Sequence, residues 1–153
     1  MLAVNDLFIG PRSHTSALYE LAYGGQAELQ SSSGLIVSTG MGSTAWIKSV
    51  ITGSLAVADA LDSGRPHTPS FEPLAWDAPE LIYAVREPFP SRHSQARLVF
   101  GRVSQTAPLT VRSRMADGGV VFSDGMEADF LRFASGVEAT IAPAQISGQL
   151  VGG

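Results

Sequence analysis

The sequence contains no cysteine, which excludes disulfide bonds and thiolate ligands for a metal. It has one lysine and nine arginines, scattered along a chain whose net charge is −4. Because a polyanion is held by clustered basic side chains, this distribution argues against nucleic acid or an anionic membrane as a partner. No apolar run approaches the ~20 residues of a membrane span, and the N-terminus has no signal-peptide pattern. We therefore expect a cytoplasmic protein.

What the sequence does contain is apolar material and turn residues. Hydrophobic residues make up 44% of the 153 positions, and there are 16 glycines and nine prolines. A chain of this length and composition can build one domain around a core of its own. The frequent turn residues favour many short strands over long helices. We predict a single, mainly β, sandwich-like domain over residues 1–153.

Short apolar segments bounded by turn residues indicate the strands. Ala3–Ile9 is predicted as the first strand, and Gly24-Gly25 as a hairpin turn, because paired glycines adopt the positive φ of such turns. The alternative for the segment before that turn is a short helix over residues 16–22. GLIVS at 34–38 is predicted as a buried strand. From residue 81 onward, strands are predicted at LIYAV, ARLVF, LTVRS, GVVF, DFLRF and EATIA.

Two turns and one alternating strand are more specific predictions. In LTVRS, Leu109, Val111 and Ser113 should share one face of the sheet, since side chains alternate along a strand. The DGG that begins at Asp117 is predicted as a hairpin turn. The SDG that contains Asp124 is predicted as a β-turn between two strands.

Helical periodicity marks one main helix, at about residues 43–61. Ser43 or a neighbour is predicted to cap its N-terminus with a hydroxyl. The predicted buried stripe consists of Trp46, Val50, Ser54, Ala58 and Leu61. The helix should end near residues 62–64, before the proline-rich loop GRPHTPSFEP.

The glycine turn in TGMGSTAW, which precedes this helix, has two interpretations. Its backbone N–H groups could hold an anion at the helix N-terminus, or the turn could simply join strand to helix. It lacks the lysine of a nucleotide-hydrolase phosphate loop, and Ala45 replaces the third glycine of a dinucleotide fingerprint. Trp46 could stack on a nucleobase or fill the core. The polar pair Asn5-Asp6, inside an apolar strand, could face a ligand's hydroxyls or cap a loop.

Other reactive side chains show no catalytic or metal-binding pattern. His14, His67 and His93 have no ligand spacing with a carboxylate pair, so no metal site is predicted. There is no Gly-x-Ser-x-Gly element for a serine hydrolase. We predict no catalytic residue in this chain.

Three segments resemble, in the same order, the C-terminal half of NAD kinases. They are VNDLFI at residues 4–9, SSGLIVSTGMGSTAW at 32–46 and VVFSDGMEADF at 120–130. The family has Asn-Glu in a strand, then Asp-Gly-apolar-Ser-Thr-Pro-Thr-Gly-Ser-Thr-Ala-Tyr, and a late strand that ends in Asp-Gly. The resemblance implies the β-rich, NAD-binding domain of an enzyme that transfers the terminal phosphate of ATP, or of polyphosphate, to the adenosine ribose 2′-hydroxyl of NAD.

Matched residue by residue, the resemblance implies a nucleotide site. It consists of the Asn-Glu counterparts, the Thr-Ala-Tyr counterparts around adenosine, the late aspartate and the position of the family's first aspartate: Asn5 and Asp6, Thr44, Ala45 and Trp46, Asp124, and Ser33. The sequence departs from the family in three places. Asp6 is one methylene shorter than glutamate, Ser33 replaces the aspartate, and Gly40-Met41 replaces Pro-Thr.

The family's Gly-Gly-Asp-Gly loop, in an N-terminal domain, is absent from this sequence. The resemblance implies that ATP and Mg²⁺ would bind only through that domain, so we expect this chain alone to be inactive. The alternatives are a non-catalytic ligand-binding or oligomerisation domain, and a domain of a related sugar or lipid kinase. A homo-oligomer formed through the β-sheets is also expected.

Overall fold

Two antiparallel sheets form the fold, as the strand pattern predicts. The structure, a computed structural model, describes residues 1–62 and 70–146. Its strands are β1 (Asp6–Pro11), β2 (Ala17–Tyr23), β3 (Gln26–Ser32), β4 (Leu35–Ser38), β5 (Leu81–Val85), β6 (Phe100–Val103), β7 (Leu109–Ser113), β8 (Gly119–Ser123), β9 (Leu131–Arg132) and β10 (Glu138–Ile141). The six-stranded sheet has the order β6-β5-β4-β1-β8-β9, and the four-stranded sheet has the order β10-β7-β2-β3.

The main core lies between the two sheets. Alternate residues of each strand face inward, because successive side chains of a strand point to opposite faces. In β7, Leu109, Val111 and Ser113 are buried while Arg112 is exposed, so the predicted alternation is confirmed. The principal members of this core are Ile9, Tyr19, Leu21, Leu35, Val37, Tyr83, Val103, Leu109, Val111 and Phe133. The mainly β, sandwich-like architecture is therefore confirmed.

The other face of the six-stranded sheet is covered by α1 (Trp46–Leu61), the α-helix of the described residues. The buried face of this helix consists of Trp46, Ile47, Val50 and Ile51, which pack on a second apolar cluster around Phe8. The predicted stripe is wrong in its second half, where three of its members, Ser54, Ala58 and Leu61, are exposed. No helix in the described part of the chain has the length and apolarity to cross a membrane.

The predicted turns have different outcomes. Gly24 and Gly25 have φ of 59° and 76° and join β2 to β3, so the hairpin is confirmed and the helix alternative is wrong. The hairpin predicted at Asp117 is wrong, because β7 and β8 belong to different sheets and the turn carries the chain between them. Asp117 lies in a turn, as its residue types indicate, but the strands on either side of this turn do not pair with each other.

Several boundaries also differ from the predicted ones. The first strand starts at Asp6 rather than Ala3, and β6 starts at Phe100, where the predicted ARLVF strand ends. DFLRF contributes only the two residues of β9. The helix ends at Leu61, close to the predicted position, and most of the loop that follows, with His67, lies outside the described residues.

Candidate functional site

Motifs that are far apart in sequence meet at one edge of the six-stranded sheet, the edge that is formed by strand ends and not by an outer strand. β1 lies between β4 and β8 and is antiparallel to both, with Asp6 opposite Ser38 and Leu7 opposite Ser123. The start of β1 therefore meets the carboxyl ends of β4 and β8 at the same edge. The glycine turn follows β4 at this edge, and Asp124 follows β8.

Asp124 holds the start of β1 through its side chain. One carboxylate oxygen accepts hydrogen bonds from the N–H groups of Asn5 and Asp6, at 2.6 and 3.2 Å, and the other accepts one from Val4 at 3.0 Å. The N–H of Asp124 donates in turn to the carbonyl of Asp6 at 2.9 Å. Asp124 has a φ of 53°, a conformation that aspartate and asparagine adopt more readily than most residues. The predicted turn is present, and its side chain fixes the Asn5-Asp6 segment.

Asp6 is a buried carboxylate beside a second carboxylate. Its relative exposure is 7%, and burial, followed by the nearby negative charge of Asp124, raises its pKa above the ordinary aspartate value. A buried acid with a raised pKa at the edge of a sheet is the kind of group found at binding and catalytic sites. Asp6 can accept a hydrogen bond from a ligand hydroxyl, or donate one when protonated.

The glycine turn is attached to the same segment. The N–H of Thr39 donates to the carbonyl of Asn5 at 2.9 Å, and the Thr39 hydroxyl donates to the carbonyl of Val4 at 2.6 Å. A Cβ at Gly42 would lie 2.1 Å from the Asn5 carbonyl oxygen, so only glycine permits this approach. Thr39 and Gly42 thus connect the turn to the two residues before β1, a contact that the sequence alone did not predict.

Ser43 does not cap the helix, contrary to the prediction. Its hydroxyl donates to the carbonyl of Gly40 at 2.6 Å and accepts from the N–H of Leu74 at 3.0 Å. A 3₁₀ turn at Gly42–Thr44 precedes α1, and Ala45, at the N-cap position, makes no side-chain capping bond. Thr44 and Ala45 are exposed. The predicted adenosine-contacting pair is therefore accessible to a ligand, next to helix N–H groups that lack a side-chain cap.

Trp46 packs against the protein itself. Its ring is stacked on Phe8, with centroids 5.6 Å apart and an interplanar angle of 16°. The guanidinium carbon of Arg86 lies 5.3 Å from the Trp46 ring centroid, within the range of a cation–π interaction. These contacts favour the core interpretation of Trp46 over nucleobase stacking.

Ser33 lies away from the other predicted site residues. Leu35 pairs with Ile9, whereas Ser38, at the other end of β4, pairs with Asp6. At ~3.3 Å per residue, the five residues from 33 to 38 span roughly 16 Å. The N–H of Ser33 donates to the carbonyl of Arg86 at 3.0 Å. A ligand that contacts both Ser33 and Asp6 of one chain would therefore have to be about as long as β4.

The described residues contain no group of three or more histidine or carboxylate side chains that could hold a metal ion. His14 and His93 are exposed, and Asp6 with Asp124 supplies only two carboxylates, one of which is occupied by backbone N–H groups.

Comparisons with known proteins match the fold and not the sequence. No protein-family model matches the chain, and no curated protein matches it either. Among solved structures, the NAD kinase of Archaeoglobus fulgidus in complex with ATP has a TM-score of 0.58 and 22% identity, covering 95% of this chain and 47% of its own. The fold is shared with NAD kinases. Yeast NADH kinase complexed with NADH has a TM-score of 0.57 and 15% identity, covering 92% of this chain and 34% of its own.

The chain spans less than half the length of these two kinases. At these identities the likeness describes the architecture, which is that of part of a NAD kinase. The shared fold is consistent with the mainly β prediction.

Proposed function

We propose that this chain is the NAD-binding, C-terminal domain of a NAD kinase-like protein. In this proposal the ligand is a nucleotide, NAD first, and it lies along the edge formed by the start of β1, the glycine turn and the turn after β8. Asn5 and Asp6 contact its hydroxyl groups, and Thr44 and Ala45 contact the adenosine. Asp124 acts by positioning Asn5 and Asp6.

The observation that carries the proposal is the set of three hydrogen bonds from Val4, Asn5 and Asp6 to the Asp124 carboxylate. The three donors lie more than 115 positions from Asp124 in the chain. The bonds hold a polar segment in one conformation at the edge of the sheet. Preorganised polar groups of this kind are typical of small-molecule sites. The fold shared with two kinases that were solved with ATP and with NADH supports the same proposal.

The chain would bind a nucleotide without transferring phosphate. Phosphoryl transfer requires cations and donors around the moving group, and the loop that would position them, as the resemblance implies, is absent from this sequence. In this proposal ATP and Mg²⁺ bind through a further domain with the Gly-Gly-Asp-Gly loop, as the resemblance implies. This chain's own residues bind and orient the nucleotide.

A thermal-shift titration of the purified chain with NAD, NADP and ATP tests the proposal. A ligand at 100 times its Kd stabilises a protein by about 2.7 kcal/mol, which is readily measured as an increase in Tm. Thr44→Ala should reduce the NAD shift, because Thr44 is exposed beside the turn. Thr52→Ala, at an exposed position on α1, is the matched control. Absence of a shift with all three nucleotides would contradict the proposal.

A second candidate function is a non-catalytic domain that forms homo-oligomers through its sheets. It is favoured by β6, which lies at the end of the six-stranded sheet and carries Phe100 with 49% exposure. An edge strand has unpaired backbone groups that can join a second copy. Analytical ultracentrifugation tests this second candidate, because a monomer at high concentration would exclude it.

A further inference from the structure

The ring of Trp46 is held by contacts within the protein and is not free to stack on a ligand. Phe8 stacks on its ring, Arg86 lies over it, and its side chain is part of the cluster between α1 and the six-stranded sheet. A nucleobase that stacked on Trp46 would compete with contacts that the chain already makes. If the site takes a purine, a different aromatic side chain is better suited to hold it.

Trp76 is that side chain. It is 69% exposed, more than Phe89 or Phe100, which is unusual for the largest apolar side chain in proteins. Tryptophan combines an apolar ring with a polar N–H and is enriched at interfaces. The chain's other tryptophan is Trp46, so these two account for all the indole in the protein.

The backbone around Trp76 is fixed against the glycine turn. A Cβ at Gly40 would lie 1.9 Å from the Ala75 carbonyl oxygen and 3.1 Å from the Trp76 Cα. The N–H of Leu74 donates to the Ser43 hydroxyl at 3.0 Å, and the N–H of Ala78 donates to the carbonyl of Ala75 at 3.0 Å. Gly40 therefore has a specific role, because a residue with a side chain there would push the segment with Trp76 away from the turn.

We propose that Trp76, rather than Trp46, stacks on the purine base of a nucleotide bound at the glycine turn. This inference rests on the proposed nucleotide site and adds the residue that recognises the base. The face of an indole attracts any purine without reading its edge, so Trp76 would favour adenine nucleotides over a ligand that lacks a purine.

Single-tryptophan variants test the inference by fluorescence. Trp46→Phe leaves only Trp76, and Trp76→Phe leaves only Trp46. Each is titrated with NAD, with AMP, which keeps the purine, and with nicotinamide mononucleotide, which lacks it. We expect NAD and AMP to quench the emission of Trp76 saturably and to leave that of Trp46 unchanged, and nicotinamide mononucleotide to give no saturable quenching of either.

Calorimetry of Trp76→Ala supplies the second readout. Loss of base stacking should raise the Kd for NAD and AMP by roughly 5- to 150-fold, with Tm unchanged because the side chain is exposed. Phe89→Ala, which removes a 65% exposed aromatic in a loop beside β3, is the matched control and should leave Kd unchanged.

Two results overturn the inference and differ in what else they remove. If the unmodified chain binds NAD and Trp76→Ala binds it equally well, Trp76 does not stack and the proposed nucleotide site remains. If the unmodified chain binds no nucleotide at millimolar concentrations, both the inference and the proposed function are wrong.

Discussion

Replacing Asp124 by asparagine separates the charge of this side chain from its backbone conformation. Asparagine adopts positive φ about as readily as aspartate, so the turn at φ 53° is kept. The amide oxygen can still accept from the N–H groups of Asn5 and Asp6, but the amide nitrogen cannot accept from Val4. Hydrogen bonds to a charged group contribute about 1.5–3 kcal/mol, against about 1 for neutral pairs. Asp124→Asn should therefore lose about 2 kcal/mol of stability in urea unfolding.

The same variant should change the titration of Asp6. Burial is the larger cause of its raised pKa and the charge of Asp124 is the second. Removing that charge lowers the pKa of Asp6, which stays above the ordinary aspartate value because the burial remains. In the unmodified protein the folded state binds the proton of the Asp6 carboxyl more tightly than the unfolded state does. Protonation of Asp6 therefore contributes stability at low pH, and this contribution is lost as pH rises from the ordinary aspartate pKa through the raised one. This loss should occur at lower pH in the variant.

Carbon-13 NMR of the carboxyl groups measures the pKa of Asp6 in both proteins. Asp117→Asn is the matched control, since Asp117 is an exposed turn aspartate, and it should change stability by less than about 0.5 kcal/mol. An unchanged pKa of Asp6 in Asp124→Asn would refute the electrostatic coupling. An unchanged stability would refute the role of Asp124 in holding the start of β1.

Gly42→Ala places a Cβ 2.1 Å from the Asn5 carbonyl oxygen and should lower the free energy of unfolding by about 1–3 kcal/mol or more, measured with urea. Gly53→Ala is the opposite case, because a Cβ added at that helix position would have no neighbouring atom within 4 Å, and the variant should gain up to about 1 kcal/mol in free energy of unfolding. Equal effects of the two substitutions would disprove the close approach at Gly42. For Glu28, burial raises the pKa, but hydrogen bonds from the Gln30 side chain and from two backbone N–H groups outweigh it and leave the pKa below the ordinary value. Its contribution to stability is therefore lost as pH falls from the ordinary glutamate value through the lowered one, and an acid limb that is identical in Glu28→Gln would contradict this.

Local patterns predicted the elements that depend on neighbouring residues. β7 alternates as its sequence indicates, because one of its faces is buried and the other is not. The Gly24-Gly25 hairpin follows from the positive φ that two glycines permit. These features need no knowledge of the rest of the chain.

Non-local pairing accounts for the predictions that were wrong. The turn at Asp117 has the composition of a hairpin, yet its flanking strands pair with β2 and β10 on one side and with β1 and β9 on the other. Ser43 has the chemistry of a cap, but the segment at Leu74 takes its hydroxyl. The partner strands β1 and β2 and the segment at Leu74 are all distant in sequence from the residues that they contact.

The candidate site was partly predictable for the same reason. The resemblance named Asn5, Asp6 and Asp124, and the structure brings them together. It also named Ser33, which the register of β4 carries to the far end of the strand. The role proposed for Trp76 has no signal in the sequence, because nothing there indicates that the chain near residue 75 lies against Gly40.

Amide chemical-shift mapping with NAD tests the central claim most directly, because it locates the ligand on the uniformly labelled chain without any substitution. The account predicts that the amides that shift cluster at the edge of the six-stranded sheet, in residues 4–6, 40–46 and 124–125. A cluster elsewhere, for example at the cavity of about 400 Å³ that Arg112, Arg114 and Ser135 line, would contradict it. Absence of any shift at saturating NAD would contradict it as well.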